Sequence, residues 1–222
     1  DRGGDWSSDV CSSDLGGRPL CAEGYYEAFR EPNVALVDIA SNPISKITET
    51  GIELQDGQAH EFDVIVFATG FDSVDGSYHS IDITGRDGVK LEDVWKDGAN
   101  SLYGVSVAQF PNLFLVSGPG GPFSNIPPSI EVQGDLIAKL IAESRERGTK
   151  SIEADAKAQA AWDAAVQAIS QVTIFSKVKS WVQNDNVEGK TKYSAFFLAG
   201  LANYIAKLAE ETSAKYPSFV FE

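Results

Sequence analysis

Two stretches of this chain place small residues, glycines and a helix start where a flat, charged ligand could be held. The first is Asp63-Val-Ile-Val-Phe-Ala-Thr-Gly70. Its apolar core, Val64 to Phe67, is continuous, as in a parallel strand covered on both faces. Ala68, Thr69 and Gly70 then follow at the carboxyl end, where ligands bind in open α/β sheets and where small residues let a dinucleotide approach the backbone. Taken alone, an ordinary buried strand ending in a turn would read the same way. The second stretch runs from Asn112 to Glu131. A buried strand, Leu113 to Val116, feeds Ser117-Gly-Pro-Gly-Gly-Pro-Phe-Ser-Asn125 and then Ile126-Pro-Pro-Ser-Ile-Glu131. Pro127, Pro128 and Ser129 mark a helix entry. Such a loop is expected to leave backbone N–H groups free and to let a flat ring lie against the main chain. The helix N-terminus adds partial positive charge, suited to a flat ligand that carries negative charge. The order of strand, glycines, prolines and helix start favours a ligand site over a proline-stiffened surface loop.

The elements that must position these residues fall into three regions. Arg18 to Ile39 holds a short helical patch around Tyr25, Tyr26 and Phe29, then a strand over Val34 to Ile39. Ile44 to Val116 carries short strands. Ile44-Ser-Lys-Ile47 and Gly51-Ile-Glu-Leu54 alternate and, with a second turn signal at Asp56-Gly57, predict a β-hairpin. His60 lies in this polar hairpin, where solvation is its expected role. Beyond Val116 the chain reads as helical. Leu136, Ile137, Leu140 and Ile141 are at helical spacing and the helix ends at Gly148. Ser151, Glu153 and Asp155 are expected to start the next helix, with Ala158, Trp162, Ala165, Val166 and Ile169 on one face. Leu198, Leu201, Ile205 and Leu208 form a third stripe. No internal repeat and no clear interdomain linker is visible.

Composition narrows the functional classes. A formal net charge of −14 over 222 residues and a pI near 4.5 argue against nucleic acid or an anionic membrane as partner. The 43% hydrophobic content suffices for a core, and no apolar run reaches the ~20 residues of a membrane span. Cys11 and Cys21 show neither metal spacing nor a disulfide framework, so a reducing, cytoplasmic setting is expected and no metal site. Methionine is absent, and Asp5-Trp-Ser-Ser-Asp-Val-Cys-Ser-Ser-Asp-Leu15 has no useful apolar period and no signal-peptide pattern. It resembles adapter DNA read through as protein. Residues 1–15 are therefore expected to be foreign to the fold or disordered, and the chain to be a fragment.

From Arg18-Pro-Leu-Cys-Ala-Glu-Gly-Tyr-Tyr-Glu-Ala-Phe29, through the Ala-Thr-Gly run and the Gly118 loop, to Ser180-Trp-Val-Gln-Asn-Asp-Asn-Val-Glu-Gly-Lys190 and the carboxyl end, the chain resembles the flavin-dependent Baeyer–Villiger monooxygenases, cyclohexanone monooxygenase-like branch. The resemblance implies an α/β fold, the carboxyl-terminal part of a two-dinucleotide-binding-domain, Rossmann-like FAD/NAD(P) flavoprotein with a helical end region. It implies residues 16–43 as the end of an NADP-binding domain, 44–148 as the carboxyl-terminal part of an FAD-binding domain, and 149–222 as a helical region with a cofactor- and substrate-covering segment. FAD and NADPH are the implied cofactors, with a small-molecule ketone and O2 as partners. The implied reaction inserts one oxygen atom into the ketone, through a peroxyflavin, to give an ester or lactone.

Residue by residue, Arg18 matches the family's active-site arginine, a permanently charged group suited to developing negative charge; by residue type alone it is a surface arginine. Ala68, Thr69, Gly70, Gly118 and Pro119 match the flavin side. Phe123, Ser124, Ile126 and Phe196 match the ketone pocket, where an apolar wall sets substrate shape. Without the resemblance Phe123 and Phe196 are core residues. Trp181 and Lys190 match the segment that folds over nicotinamide cofactor and substrate. Asn184, Asp185 and Glu188 stand where the family has Gly, Ala and Pro, which adds negative charge near an anionic cofactor.

The chain has no Gly-x-Gly-x-x-Gly motif and no glycine-rich motif ending in His and Trp. The expectation is a missing amino-terminal part carrying the adenine-side FAD site and the main NADPH site, and a fragment inactive by itself. An N- or S-oxygenating flavin monooxygenase and a non-catalytic nucleotide-binding module are the alternatives. The Arg18 segment and the Gly-Pro-Phe-Ser-Asn loop are read as arguing against heteroatom oxygenation.

Overall fold

The computed structural model describes residues 24–69, 74–178, 180–185, 189 and 191–222. The chain divides into two units, Pro19–Gly70 and a second whose continuous part is Phe71–Glu222.

In the first unit the expected helical patch is α1 (Tyr25–Ala28), a single turn with exposed side chains. Ile44–Ile47 (β1), Gly51–Leu54 (β2) and Ala59–Glu61 (β3) form an antiparallel meander, one strand more than the predicted hairpin. The register pairs Lys46 with Glu53 and Ile52 with His60, and Lys46 and Glu53 form an ion pair at 3.2 Å. Gly51 is required by close approach, because a Cβ there would lie 1.9 Å from the His60 carbonyl oxygen. His60 departs from its expected solvated role: its ring stacks on Phe62 and its Nε2 is buried with no partner.

Val34–Ile39 and Val64–Phe67 are not strands here. Val64, Val66 and Phe67 are 76%, 82% and 69% exposed, opposite to the expected burial. A parallel strand needs neighbours on its edges and cover on its faces. Among the described residues of this unit, the only sheet is the short meander, which offers neither.

The second unit carries α2 (Leu91–Trp95), α3 (Ile126–Arg147), β4 (Ile152–Ala154), α4 (Ala156–Gln171), α5 (Leu201–Ser213) and β5 (Phe219–Phe221). Helix α3 ends where the sequence indicates, with Gly148 at φ 71° and the Thr149 N–H returning to the Ser144 carbonyl at 3.0 Å, a glycine C-cap. Residues Ser151 to Glu153 do not begin a helix. Ile152–Ala154 pairs antiparallel with β5, a partner too distant in sequence to be read locally. Asp155 alone is the cap of α4, accepting from the N–H groups of Lys157 and Ala158. The Leu113–Val116 run is likewise no strand. It makes one bridge, Phe114 to Ser106, and positive φ at Asn112 and Ser117 bends the chain away on either side.

The main core joins Leu136 and Leu140 of α3, Trp162 and Val166 of α4, and Tyr204 and Leu208 of α5. Each large apolar side chain buried this way contributes about 1.5–3 kcal/mol. On α5 the buried stripe is Tyr204, Leu208 and Glu211, with Leu201 partly buried beside it, and Ile205 turns outward at 43% exposure; on α4 Ala165 is also exposed. Among the described residues no helix is long and apolar enough to cross a membrane.

A polar network runs through this core. Tyr204 Oη donates to the Tyr103 carbonyl at 2.6 Å, and Tyr103 Oη donates to Glu211 Oε2 at 3.1 Å. Glu211 also accepts from the Ser218 N–H and hydroxyl. Burial, above all, pushes the Tyr103 hydroxyl up from 10.0 to about 12 and also raises Tyr204. Both phenols bind their proton more tightly folded than unfolded, so their contribution is complete below pH 10.0 and is lost as pH rises through about 12. The urea midpoint, followed by circular dichroism, should therefore hold level up to about pH 10 and fall above it. Tyr204→Phe should make that fall shallower while lowering stability at pH 8 by about 1 kcal/mol.

Candidate active site

The Gly118 loop rests on a contact of main chain with main chain. Leu102–Val105 reverses direction with positive φ at both central residues, Tyr103 at 56° and Gly104 at 74°, as in the turns that suit hairpins. The Gly118 N–H donates to the Gly104 carbonyl at 3.1 Å. A Cβ on Gly104 would lie 2.6 Å from Gly121 Cα, and one on Gly118 would lie 2.7 Å from the Gly104 oxygen. These glycines are demanded by the loop seating on the turn.

Side chains from two helices and the preceding loop then fix the rest. Gln133 of α3 is fully buried; its Oε1 accepts from the Ser117 N–H at 2.8 Å and its Nε2 reaches the Tyr103 carbonyl at 3.4 Å. Ser101 Oγ donates to the Pro119 carbonyl at 2.6 Å, and Trp162 Nε1 of α4 donates to the Gly120 carbonyl at 3.1 Å. The loop also pairs with Ala195–Phe197, through Gly120 N–H to Ala195 O, Phe123 N–H to Phe197 O and Phe197 N–H to Gly121 O. Consequently the N–H groups of Ser117, Gly118, Gly120, Gly121 and Phe123 are all bonded internally. The expectation of a loop with free N–H groups is corrected: the glycines serve internal packing. Between Ser117 and Pro128, the N–H groups without a recorded partner are those of Ser124, Asn125 and Ile126, at the entry to α3. Pro127 and Pro128 carry none.

Beside this helix start lies an open, mainly apolar pocket of ≈ 240 Å³. Six residues nominated from sequence line it, namely Gly118, Phe123, Ser124, Ile126, Trp181 and Phe196, joined by Val74, Ser117, Gly121, Pro122 and Ser129. The ring centroids of Phe123, Trp181 and Phe196 are 5.3–6.1 Å apart. Val74 has φ 66°, an unusual conformation for a β-branched residue that stores on the order of 1–3 kcal/mol of strain. Next to it, buried Asp75 accepts from Tyr193 Oη at 3.4 Å, tying the Val74 turn to the segment that carries Phe196. His79 Nε2 lies 3.7 Å from the same carboxylate.

Trp181 stands on a tight turn, Trp181–Gln183, capped by the Ser180 hydroxyl. The Gln183 amide donates to Ser170 Oγ at 2.7 Å, and the Ala195 N–H donates to the Val182 carbonyl at 3.0 Å. Two departures from the family pattern are accommodated locally. Asn184 adopts φ 53°, the left-handed region that asparagine tolerates, and its amide donates to the Thr191 carbonyl at 3.3 Å. Asp185 accepts from the Ser180 N–H at 2.6 Å and pairs with Lys192 at 3.0 Å, which partly offsets its charge.

The other nominated residues lie elsewhere. Pro119 is buried behind the loop and does not line the pocket. Ala68 and Thr69 are exposed in the first unit. Arg18, Gly70, Glu188 and Lys190, with the two cysteines and residues 1–15, lie outside the described residues. Among the described residues no His, Cys, Asp or Glu cluster is arranged to hold a metal. Sequence reasoning missed Val74 and Phe175. Phe175 lies 5.5 Å from Phe123, edge to face, and nothing in Thr173-Ile-Phe-Ser176 signals it. Periodicity has no purchase on a single turn.

The site is thus an apolar aromatic pocket beside unbonded N–H groups at a helix start. No family model matches the chain. Curated relatives do: it is 44% identical over 212 residues to a phenazine N-monooxygenase from Lysobacter antibioticus, covering 95% of this chain and 39% of that protein. It is also 44% identical over 187 residues to cyclohexanone 1,2-monooxygenase from an Acinetobacter species, covering 84% of this chain and 34% of the relative. Among solved structures, cyclohexanone monooxygenase from Rhodococcus sp. Phi1 bound to NADP+ superposes with a TM-score of 0.89 at 42% identity, over 93% of this chain and 39% of that one. Over its length the chain matches one portion of the Baeyer–Villiger monooxygenases, of the cyclohexanone monooxygenase-like branch. Its fold is that of the carboxyl-terminal part of a two-dinucleotide-binding-domain flavoprotein. It spans well under half the length of each of these relatives.

The clamp on the loop predicts a measurable cost. Gln133→Leu removes the acceptor of the Ser117 N–H and one of two donors to the Tyr103 carbonyl and should lower stability by about 1 kcal/mol, read as a reduced urea midpoint.

Proposed function

We propose that this chain is the carboxyl-terminal portion of an FAD- and NADPH-dependent monooxygenase that converts a ketone into an ester or lactone in the cytoplasm. The overall change consumes ketone, O2, NADPH and a proton, and yields ester, NADP+ and water. One observation carries the reading: residues from three separated segments, 118–126, 181 and 196, line a single apolar pocket at the start of α3.

The residues present fit the absent flavin. The three unbonded N–H groups of Ser124, Asn125 and Ile126 match the carbonyl-bearing edge of a flavin, and the α3 dipole favours negative charge on it. FAD, when bound, supplies the activation of O2 with electrons drawn from NADPH. The protein's own part is to bind and orient. Phe123, Trp181 and Phe196 supply an apolar wall that excludes water and holds a small ketone ring by shape. Arg18 is assigned as the fixed cation that stabilises developing negative charge, and Lys190 as a contact for a cofactor phosphate. Ala68, Thr69, Gly70, Gly118 and Pro119 are assigned to the flavin side, within an FAD-binding region spanning residues 44–148.

A second reading has its own support. The phenazine N-monooxygenase shares 44% identity across nearly the whole chain, so the features read as arguing against heteroatom oxygenation lose their force. Oxidation of an aromatic ring nitrogen would use the same flat apolar pocket.

The test is product analysis on the full-length protein that contains this chain, loaded with FAD and offered cyclohexanone and phenazine separately with NADPH. Lactone formation supports the ketone reading, and an N-oxide without lactone supports the alternative. Phe123→Ala should lower kcat/KM for the ketone by about tenfold or more. The 222-residue piece purified alone is expected to be colourless, and a yellow preparation with stoichiometric FAD would show that the fragment holds the cofactor unaided.

A further inference from the structure

We infer that Phe175 determines the substrate specificity of the pocket without lining it, by holding the ring of Phe123. The inference rests on the pocket being the substrate site. Phe123 is the hub of the aromatic cluster: it meets Phe196 at 5.6 Å, Trp181 at 6.1 Å and Phe175 at 5.5 Å. Two of these neighbours form the pocket wall with it. Phe175 does not line the pocket and meets the Phe123 ring edge to face, at an interplanar angle of 70°.

The supports of these rings differ. Trp181 and Phe196 stand on segments joined by the Ala195-to-Val182 hydrogen bond, and Phe196 is flanked by the Phe197 pairing with Gly121. Phe175 stands on the turn Ile174–Lys177 just after α4. That turn is held by Thr173 and Ser176 bonds back to Ser170, Gln171 and Thr173. Its neighbours Val172 and Ile174 are 87% and 46% exposed, so this is surface structure outside the main core. Phe123 itself is only half-buried. Phe196 also meets it edge to face, at 61°, but from within the wall; Phe175 is the edge-to-face partner outside the pocket lining, and its contact biases the ring toward its position in the wall. Removing Phe175 opens space behind Phe123, and the ring can then withdraw to admit a larger substrate.

The experiment compares the full-length protein that contains this chain, loaded with FAD, as wild type and Phe175→Ala, on a small unsubstituted cyclic ketone and a bulky ring-substituted one. Two readouts are taken: steady-state kinetics with the KM and kcat contributions separated, and ketone affinity by titration calorimetry. The kcat/KM ratio is expected to move about tenfold toward the bulky ketone, carried by KM and matched by the calorimetric affinity. Phe175→Tyr, which keeps the ring, should restore the wild-type ratio. Phe175→Leu should give a partial shift and carries the test if the alanine variant does not fold. In Phe123→Ala, adding Phe175→Ala should shift the ratio no further, because the ring it positions is gone. A ratio that moves in Phe123→Ala and stays fixed in every Phe175 variant overturns this inference and leaves the pocket reading intact. An additive double variant also overturns it. If wild type binds neither ketone and Phe123→Ala changes nothing, both the inference and the pocket reading fall.

Discussion

The close approach of the Gly118 loop to the Tyr103-Gly104 turn is the constraint on which the rest of the second unit depends. Cβ atoms at Gly104 or Gly118 would sit well inside contact distance of the opposing backbone. Because the two backbones touch, the fully buried Gln133 can bond Ser117 with one end and reach Tyr103 with the other. The loop is thereby fixed relative to both α3 and the core beneath Tyr103. A buried amide left without such partners would cost about 1–3 kcal/mol, so the arrangement is self-reinforcing: glycine permits the approach, and the approach satisfies the glutamine.

From this seat the chemistry of the pocket follows. The loop's N–H groups are consumed by Gln133, Gly104, Ala195, Gly118 and Phe197, and the unbonded donors are displaced to the first residues of α3. Polar recognition is thus confined to one edge, where the helix dipole adds to it. The opposite wall is aromatic. Its members come from residue 123, residue 181 and residue 196, joined by ring contacts of 5.3–6.1 Å. The pocket is thus polar on one edge and apolar on the other, with no charged side chain among its described lining.

Sequence legibility tracked the range of the interactions. The helix termini were readable because glycine at 148 and aspartate at 155 act within a few residues of themselves. The meander was readable in part, through alternation and the Asp56-Gly57 turn. The β4 pairing was not readable, since its partner β5 lies more than sixty residues on and the acidic residues at 153 and 155 resemble a helix start. Tyr204 escaped because a tyrosine in a leucine stripe signals burial only when its hydroxyl finds a partner, here the Tyr103 carbonyl. Val64–Phe67 shows the opposite failure. Its composition is that of a buried strand, yet the side chains are exposed, because burial is conferred by neighbouring strands and covering elements that this unit lacks among its described residues.

By itself, the sequence determined the acidic character, the helical stripes, the helix caps and the residues nominated for the pocket, since residue types and short spacings encode all of these. The tertiary structure decided which of those residues meet. It brought Phe123, Trp181 and Phe196 into one wall, added Val74 and Phe175, and turned the loop glycines from a presumed ligand cradle into a packing surface. The physical reason is that side-chain type and periodicity report on a residue's own backbone and immediate neighbours. The convergence of distant segments depends on which buried polar groups can satisfy one another, and that is settled only when the chain has closed on itself.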